Sequence, residues 1–309
     1  MLVKEILYVI MIFPVHYMWD DILKKDTILE LINKFIFIET KEETDELTEK
    51  RKIKETVIFP RYHQLDAIRK LIADVKENKS KLNYLIQHSA GSGKTNSIAW
   101  LAHRLSSLHD DENTIIYDNI IIVTDRVVVD RQLQKAVIGM EHASGLIKVM
   151  DDRCSSSDLA NALNGNTKII ATTIQKFPYI VEEVKNLNNK RFAVIIDEAH
   201  SSTSGKNMSA VTKSLASGEW EYDDTDEMIE DEIRKHGKQS NVSMFAFTAT
   251  PKPTTLQMFG RLNKNGQYEA FHIYSMKQAI EEGFILDVLS NFTRYETFYQ
   301  INKLVENRS

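Results

Sequence analysis

Six short apolar runs constrain what this chain can fold into more than any other feature: 82–86 (LNYLI), 119–124 (NIIIVT), 145–150 (GLIKVM), 168–173 (KIIATT), 192–196 (FAVII) and 242–248 (VSMFAFT). Each is apolar on successive residues rather than alternate ones, which suits a strand covered on both faces. Between them lie segments with helical spacing, such as 96–108 (NSIAWLAHRLSSL) and 157–164 (SDLANALN). Strands alternating with helices imply βαβ units and a mostly parallel sheet with helices on both faces. The expected fold class is therefore α/β, and the sequence contains no internal repeat.

Composition narrows the field. With 309 residues, 42% of them hydrophobic, the chain has enough apolar surface for a sizeable core. Cys154 is the only cysteine, so no intrachain disulfide or paired-cysteine zinc site can form, and a reducing cytoplasm fits best. The first 19 residues, MLVKEILYVIMIFPVHYMW, are apolar, but Lys4, Glu5, Pro14 and His16 interrupt them and Asp20 and Asp21 follow. A half-buried terminal segment is expected there rather than a signal or a membrane span. The net charge of −5 argues against a general nucleic-acid binder, yet nine acidic residues sit between Glu219 and Glu232 with no lysine or arginine among them. Outside that acidic insertion the chain carries +4, which is compatible with nucleic acid without arguing for it. Residues 40–56 are highly charged with no apolar period and read as a solvated connector.

The strongest chemical signal is Ala90-Gly91-Ser92-Gly93-Lys94-Thr95, placed after one apolar run and opening a helical one. Glycines let backbone N–H groups close around phosphate oxygens, and the helix N-terminus adds positive potential. Lys94 is then expected to reach the β and γ phosphates and Thr95 to offer its hydroxyl to Mg²⁺. The first glycine usual in this pattern is replaced by His88. A second signal is Asp197-Glu198-Ala199-His200 at the end of the run FAVII. Adjacent carboxylates there are costly unless a cation sits beside them, so Asp197 reads as the Mg²⁺ partner and Glu198 as the residue that orients or deprotonates an attacking water; an acidic capped turn is the plainer alternative. Thr248-Ala249-Thr250 ends the last run. Strands of a parallel sheet all end on one edge, where ligands bind. Lys94 with Thr95, Thr124 with Asp125, Thr172 with Thr173, Asp197 with Glu198, and Thr248 with Thr250 should therefore converge.

In order, Arg61-Tyr62-His63-Gln64, AGSGKT, TDRVVVDRQL, TTIQKF, DEAH and FTATP resemble the motifs of superfamily 2 helicases and translocases. More closely, HSAGSGKT, ATTIQKF, IIDEAHSS and FTATPKPTTLQMFG look like the restriction (motor) subunit of type I restriction-modification enzymes, over a span from about Ile22 to the end. The resemblance implies a RecA-like P-loop fold and an ATP-dependent motor that moves on double-stranded DNA together with methyltransferase and specificity subunits. It implies that Gln64 reads adenine with help from Arg61 and Tyr62, that Gly91, Ser92, Gly93, Lys94 and Thr95 hold ATP, and that Lys94, Asp197, Glu198 and His200 form the catalytic set. Thr95 and Asp197 would bind Mg²⁺, and Thr248 and Thr250 would couple the ATP and DNA sites. Thr124, Asp125, Arg126, Thr172, Thr173 and Gln175 would touch the tracked strand, although each could equally be a helix cap.

The same resemblance implies a division into an N-terminal segment and connector (1–56) following a nuclease domain, a first RecA-like domain (57–260), and the start of a linker toward a second RecA-like domain (261–309). Within that linker, Ser275 to Gln278 form a capping-box pattern, Gly283 is a helix stop, FHIY reads as a strand, and 284–299 read as extended. Glu39-Thr40-Lys41 has the Glu-x-Lys form of such nucleases without an upstream partner aspartate, which marks it as coincidental. Two other readings stay open: a general DEAH-box DNA or RNA helicase, and an ATP-binding module that serves assembly alone.

Overall fold

The computed structural model describes residues 17–44, 51–79, 82–124, 131–140, 145–150, 154–187, 189–197, 233 and 241–287. Asp125, Arg126, Glu198, His200, the acidic insertion and the chain beyond 287 lie outside the described residues.

Each of the six apolar runs contributes a strand: β3 (Tyr84–His88), β4 (Asn119–Thr124), β5 (Ile147–Val149), β6 (Ile169–Thr173), β7 (Phe192–Asp197) and β8 (Val242–Thr248). With a further strand, β11 (His272–Tyr274), they form one seven-stranded sheet in the order β11-β3-β8-β7-β4-β6-β5, and every pairing is parallel. The two-residue side-chain period explains why the runs are apolar throughout. On β4, Ile120 and Ile122 enter one core while Ile121 and Val123 enter the other, and on β7 Ala193 and Ile195 oppose Phe192, Val194 and Ile196. One face is covered by α2 (Tyr62–Asn78), α3 (Lys94–Ser106) and α4 (Arg131–Gly139), the other by α5 (Ser156–Asn164) and α6 (Phe177–Asn186). The expected α/β class is the one observed.

The N-terminal stretch departs from expectation. Residues 40–56 were expected to be a solvated connector, but β1 (Phe37–Thr44) and β2 (Arg51–Ile58) pair antiparallel as a hairpin, from Phe37 opposite Ile58 to Thr44 opposite Arg51. The charged residues masked a strand signal, because a two-stranded ribbon needs only its end residues buried: Phe37 and Ile58 pack against the core, whereas Ile38, Ile53 and Val57 are exposed. Ahead of it, α1 (Lys25–Lys34) is anchored by Glu30, which binds Arg69 at 2.9 Å and Arg104 at 3.3 Å. Phe35 is buried against Trp100, whose indole N–H donates to the Phe35 carbonyl at 2.7 Å. Burying Leu31 and Phe35 contributes roughly 1.5–3 kcal/mol each, enough to fasten the segment to the sheet's helical layer.

The sheet also runs past residue 260. After α7 (Pro253–Phe259), a small antiparallel pair, β9 (Arg261–Leu262) and β10 (Tyr268–Glu269), leads into β11 beside β3. Arg261 clamps this turn to α2 through two bonds to the Asp74 carboxylate at 2.8 and 2.6 Å. Half of the expected capping box forms: Ser275 Oγ accepts from the Gln278 amide and α8 (Met276–Glu281) follows, but the Gln278 side chain turns to Tyr62 and Glu282 instead of back to Ser275; Gly283 takes a left-handed φ of 73°. From Phe284 to Asp287 no strand forms.

Candidate nucleotide site

The phosphate loop runs from the end of β3 into α3. Gly91 and Gly93 have φ of 72° and 80°, the left-handed region that side-chain-bearing residues avoid, and Gly93 is the N-cap of α3. Among the described residues no side chain caps that helix. Lys94 and Thr95 are its first two residues and are half-buried. The Ser92 hydroxyl is buried, with no hydrogen-bond partner among the described residues. Added Cβ atoms would come within 2.8 Å of Ile285 Cγ2 at Gly91 and 2.7 Å of Gln64 Nε2 at Gly93, so the cradle has no room for larger residues.

The N-terminus of α2 grips this loop. Arg61 donates to the Gly91 carbonyl at 3.1 Å, and Gln64 Nε2 donates to the carbonyls of Gly93 at 2.9 Å and Ser92 at 3.3 Å. Gln64 Oε1 accepts from the Arg61 amide at 2.8 Å. Both Nε2 hydrogens are thus committed to the loop, so donating to a base would require one of these bonds to be exchanged, while Oε1 keeps a second lone pair.

His63 was passed over in the sequence, where a histidine between Tyr62 and Gln64 carries no signal of its own. It is buried, Nε2 donates to the Ser92 carbonyl at 3.0 Å, and its ring stacks on Tyr274 with centroids 3.7 Å apart. Burial holds its pKa down at about 4, outweighing the opposing effect of the Ser92 carbonyl, so the ring is neutral near pH 7. His88, in the place of the usual glycine, is also buried and strongly disfavours a proton through desolvation, with His272, His63 and Lys94 adding to the effect. Its Nε2 lies 2.8 Å from His272 Nδ1, and His272 Nε2 donates to Asp66 at 3.0 Å. The imidazole is spent on β11, which explains how a glycine position tolerates it.

Register brings the other strand ends to the same edge. Thr124 sits opposite Thr173 on one side and Asp197 on the other, while Thr248 pairs with Gln87, one residue before His88. The family model of the SWI2/SNF2 ATPase matches residues 63–307, taking in the phosphate loop and all of these strand ends. The chain belongs to the SWI2/SNF2 ATPase family. A relative, the putative type I restriction enzyme MjaVIIIP endonuclease subunit of Methanocaldococcus jannaschii, is 26% identical over 207 residues, which is 61% of this chain and 19% of that protein. The chain thus spans about a fifth of that relative's length. Similar solved structures include a nuclease-deletion mutant of the type ISP restriction-modification enzyme LlaGI with a DNA substrate mimic (18% identity, TM-score 0.45, 74% of this chain and 21% of that one). The UvsW helicase of bacteriophage T4 is another (17% identity, TM-score 0.38, 77% and 66%).

Within this SWI2/SNF2 ATPase domain, the residues expected to meet nucleic acid divide. Thr124, Thr172 and Thr173 are buried, and their hydroxyls have no partner among the described residues. Thr173 precedes a short 3-10 turn (Ile174–Lys176) but makes no capping bond, so the plainer helix-cap reading finds no support there. Gln175, on that turn, is exposed. The Thr248 hydroxyl accepts from the Thr250 amide at 3.3 Å, a local turn that fixes the end of β8. Among the described residues, no cluster of three metal-ligating side chains forms and no helix is long and apolar enough to cross a membrane.

Proposed function

We propose that this SWI2/SNF2 ATPase domain is the first motor domain of an ATP-dependent translocase acting on double-stranded DNA, of the kind found in type I restriction enzymes. The observation that carries the reading is the left-handed glycine loop opening α3 on the same sheet edge as Asp197. The buried Ser92 hydroxyl, unpartnered among the described residues, and the tight cradle fit a nucleoside triphosphate. Lys94 would bind the β and γ phosphates, while Thr95 and Asp197 would hold Mg²⁺, which when bound neutralises phosphate charge. Glu198 would orient or deprotonate the attacking water beside His200, and Thr248 and Thr250 would couple this chemistry to DNA. Gln64 and Arg61 would hold the base. Thr124, Asp125, Arg126, Thr172, Thr173 and Gln175 would meet the sugar-phosphate backbone, contacts that position without reading sequence.

The reading extends to a cytoplasmic complex with methyltransferase and specificity subunits; the Methanocaldococcus jannaschii relative is named as an endonuclease subunit of a type I restriction enzyme. It retains the division into 1–56, 57–260 and 261–309 as functional units, with the reservation that β11 ties the third to the second. The test is ATP turnover with no nucleic acid, with duplex DNA and with RNA. Turnover by this domain is expected to stay slow even with duplex DNA, and to respond to duplex DNA and not to RNA; equal stimulation by RNA would replace the translocase with a general helicase, and turnover indifferent to both would leave an ATP-binding module.

A further inference from the structure

The stretch that follows the nucleotide motifs folds back against the phosphate loop and against the two side chains, His63 and Arg61, that hold its carbonyls. The Tyr274 carbonyl accepts from the Ser89 amide at 3.0 Å, at the start of the loop. The Tyr274 ring lies flat on His63, whose Nε2 holds the Ser92 carbonyl. Phe284 lies under the Arg61 guanidinium, 4.1 Å from carbon to ring centroid, and that guanidinium holds the Gly91 carbonyl. Ile285 reaches the space where a side chain on Gly91 would stand. The stretch is itself held in shape: Tyr274 donates its hydroxyl to Glu282 at 2.7 Å, Gln278 donates to Glu282 at 3.0 Å, and Gln278 also donates to the Tyr62 hydroxyl.

We propose that the segment from Tyr274 to Ile285 is a brace for the phosphate loop, and that His63 and Arg61 are positioning residues that transmit it. Carbonyl groups of such a loop must point away from the bound phosphates so that the N–H groups point toward them. His63 and Arg61 hold two of these carbonyls, at Ser92 and Gly91, and each is itself pressed by an aromatic ring from the brace. The left-handed glycines permit the loop geometry, but being flexible they do not select it. The brace selects it, and does so from chain beyond residue 260.

This inference rests on the loop being a nucleotide site, so the experiment separates the two. Titration calorimetry with Mg-ATP and Mg-ADP, alongside thermal melts, is run on the full chain and on H63F, H63Q, F284A and K94A. H63F keeps a ring to stack on Tyr274 but loses the donor to Ser92; H63Q loses the ring but keeps an N–H donor. The brace predicts that H63F weakens ATP and ADP alike, by about tenfold, with little change in melting temperature. H63Q should bind more tightly than H63F even where it melts lower, and F284A should also weaken both nucleotides. K94A should weaken ATP more than ADP. A merely structural role for His63 reverses the order of H63F and H63Q and sinks the brace. So does unchanged binding in H63F and F284A while K94A is impaired. If K94A and the unsubstituted chain bind alike, or neither binds, the nucleotide reading fails and the brace with it.

Discussion

Substituting Gly93 by alanine tests the loop geometry directly. At φ 80° and ψ 36° the backbone is left-handed, which costs an L-residue about 1–2 kcal/mol. The new methyl would stand 2.7 Å from Gln64 Nε2, well inside contact distance. Gln64 is buried and cannot swing into solvent, so it would give up bonds to Ser92 and Gly93 worth roughly 1 kcal/mol each in net terms. The lower entropy of the unfolded alanine chain returns about 0.4–1 kcal/mol. The balance is a loss of about 2–3.5 kcal/mol. Urea unfolding at unchanged m-value reads it as a lower midpoint. Gly91→Ala supplies the control, because its clash is with Ile285 Cγ2: adding Ile285→Ala should relieve part of the cost at Gly91 and none at Gly93. A Gly93→Ala loss below about 0.5 kcal/mol would mean that Gln64 does not hold the loop.

Three further outcomes are expected. Lys94→Ala should weaken Mg-ATP more than Mg-ADP in calorimetry, since the side chain serves the β and γ phosphates, and equal loss for both would move Lys94 away from the γ position. Asp197→Asn should reduce both metal-nucleotide binding and turnover, whereas Glu198→Gln should leave affinity nearly intact and lower turnover by roughly 10²–10⁴ in steady-state assays; a Glu198→Gln enzyme at full rate would remove it from the chemistry. The histidines set an acid limb. His63 has a folded pKa of about 4, below the ordinary 6.5, so the unfolded chain takes up its proton first and stability falls as pH drops from about 6.5 to about 4. Arg61 and His272 oppose protonation there and Glu282 favours it. His63→Phe should flatten this limb in melts across that range, and an unchanged slope would show that His63 is not buried neutral.

The sheet was legible because its strands are apolar on both faces, and its polar edge because a parallel sheet ends all its strands together. What stayed illegible has physical causes. Most of the described side chains of the hairpin β1–β2 are exposed, so its residues carry the polar composition of a linker. His63 and Tyr274 are 211 positions apart, and nothing local marks either as a stacking partner. His88 looked like a defect in a glycine motif until His272 and Asp66 supplied it with partners. Gln64 was expected to face a base, an inference carried by resemblance; its bonds to the loop needed coordinates.

Placing β11 outside β3 also bears on how the chain can be shortened. Tyr84, Leu85 and Ile86 are fully buried, and β11 occupies one of the two ladders of the strand that bears them. A polypeptide ending at residue 260, where the motifs suggest a tidy boundary, would strip that ladder and leave apolar β3 as a bare sheet edge, a template for strand pairing with other copies. Such a fragment should precipitate or form strand-paired oligomers. One carried through Ile285 keeps its edge covered.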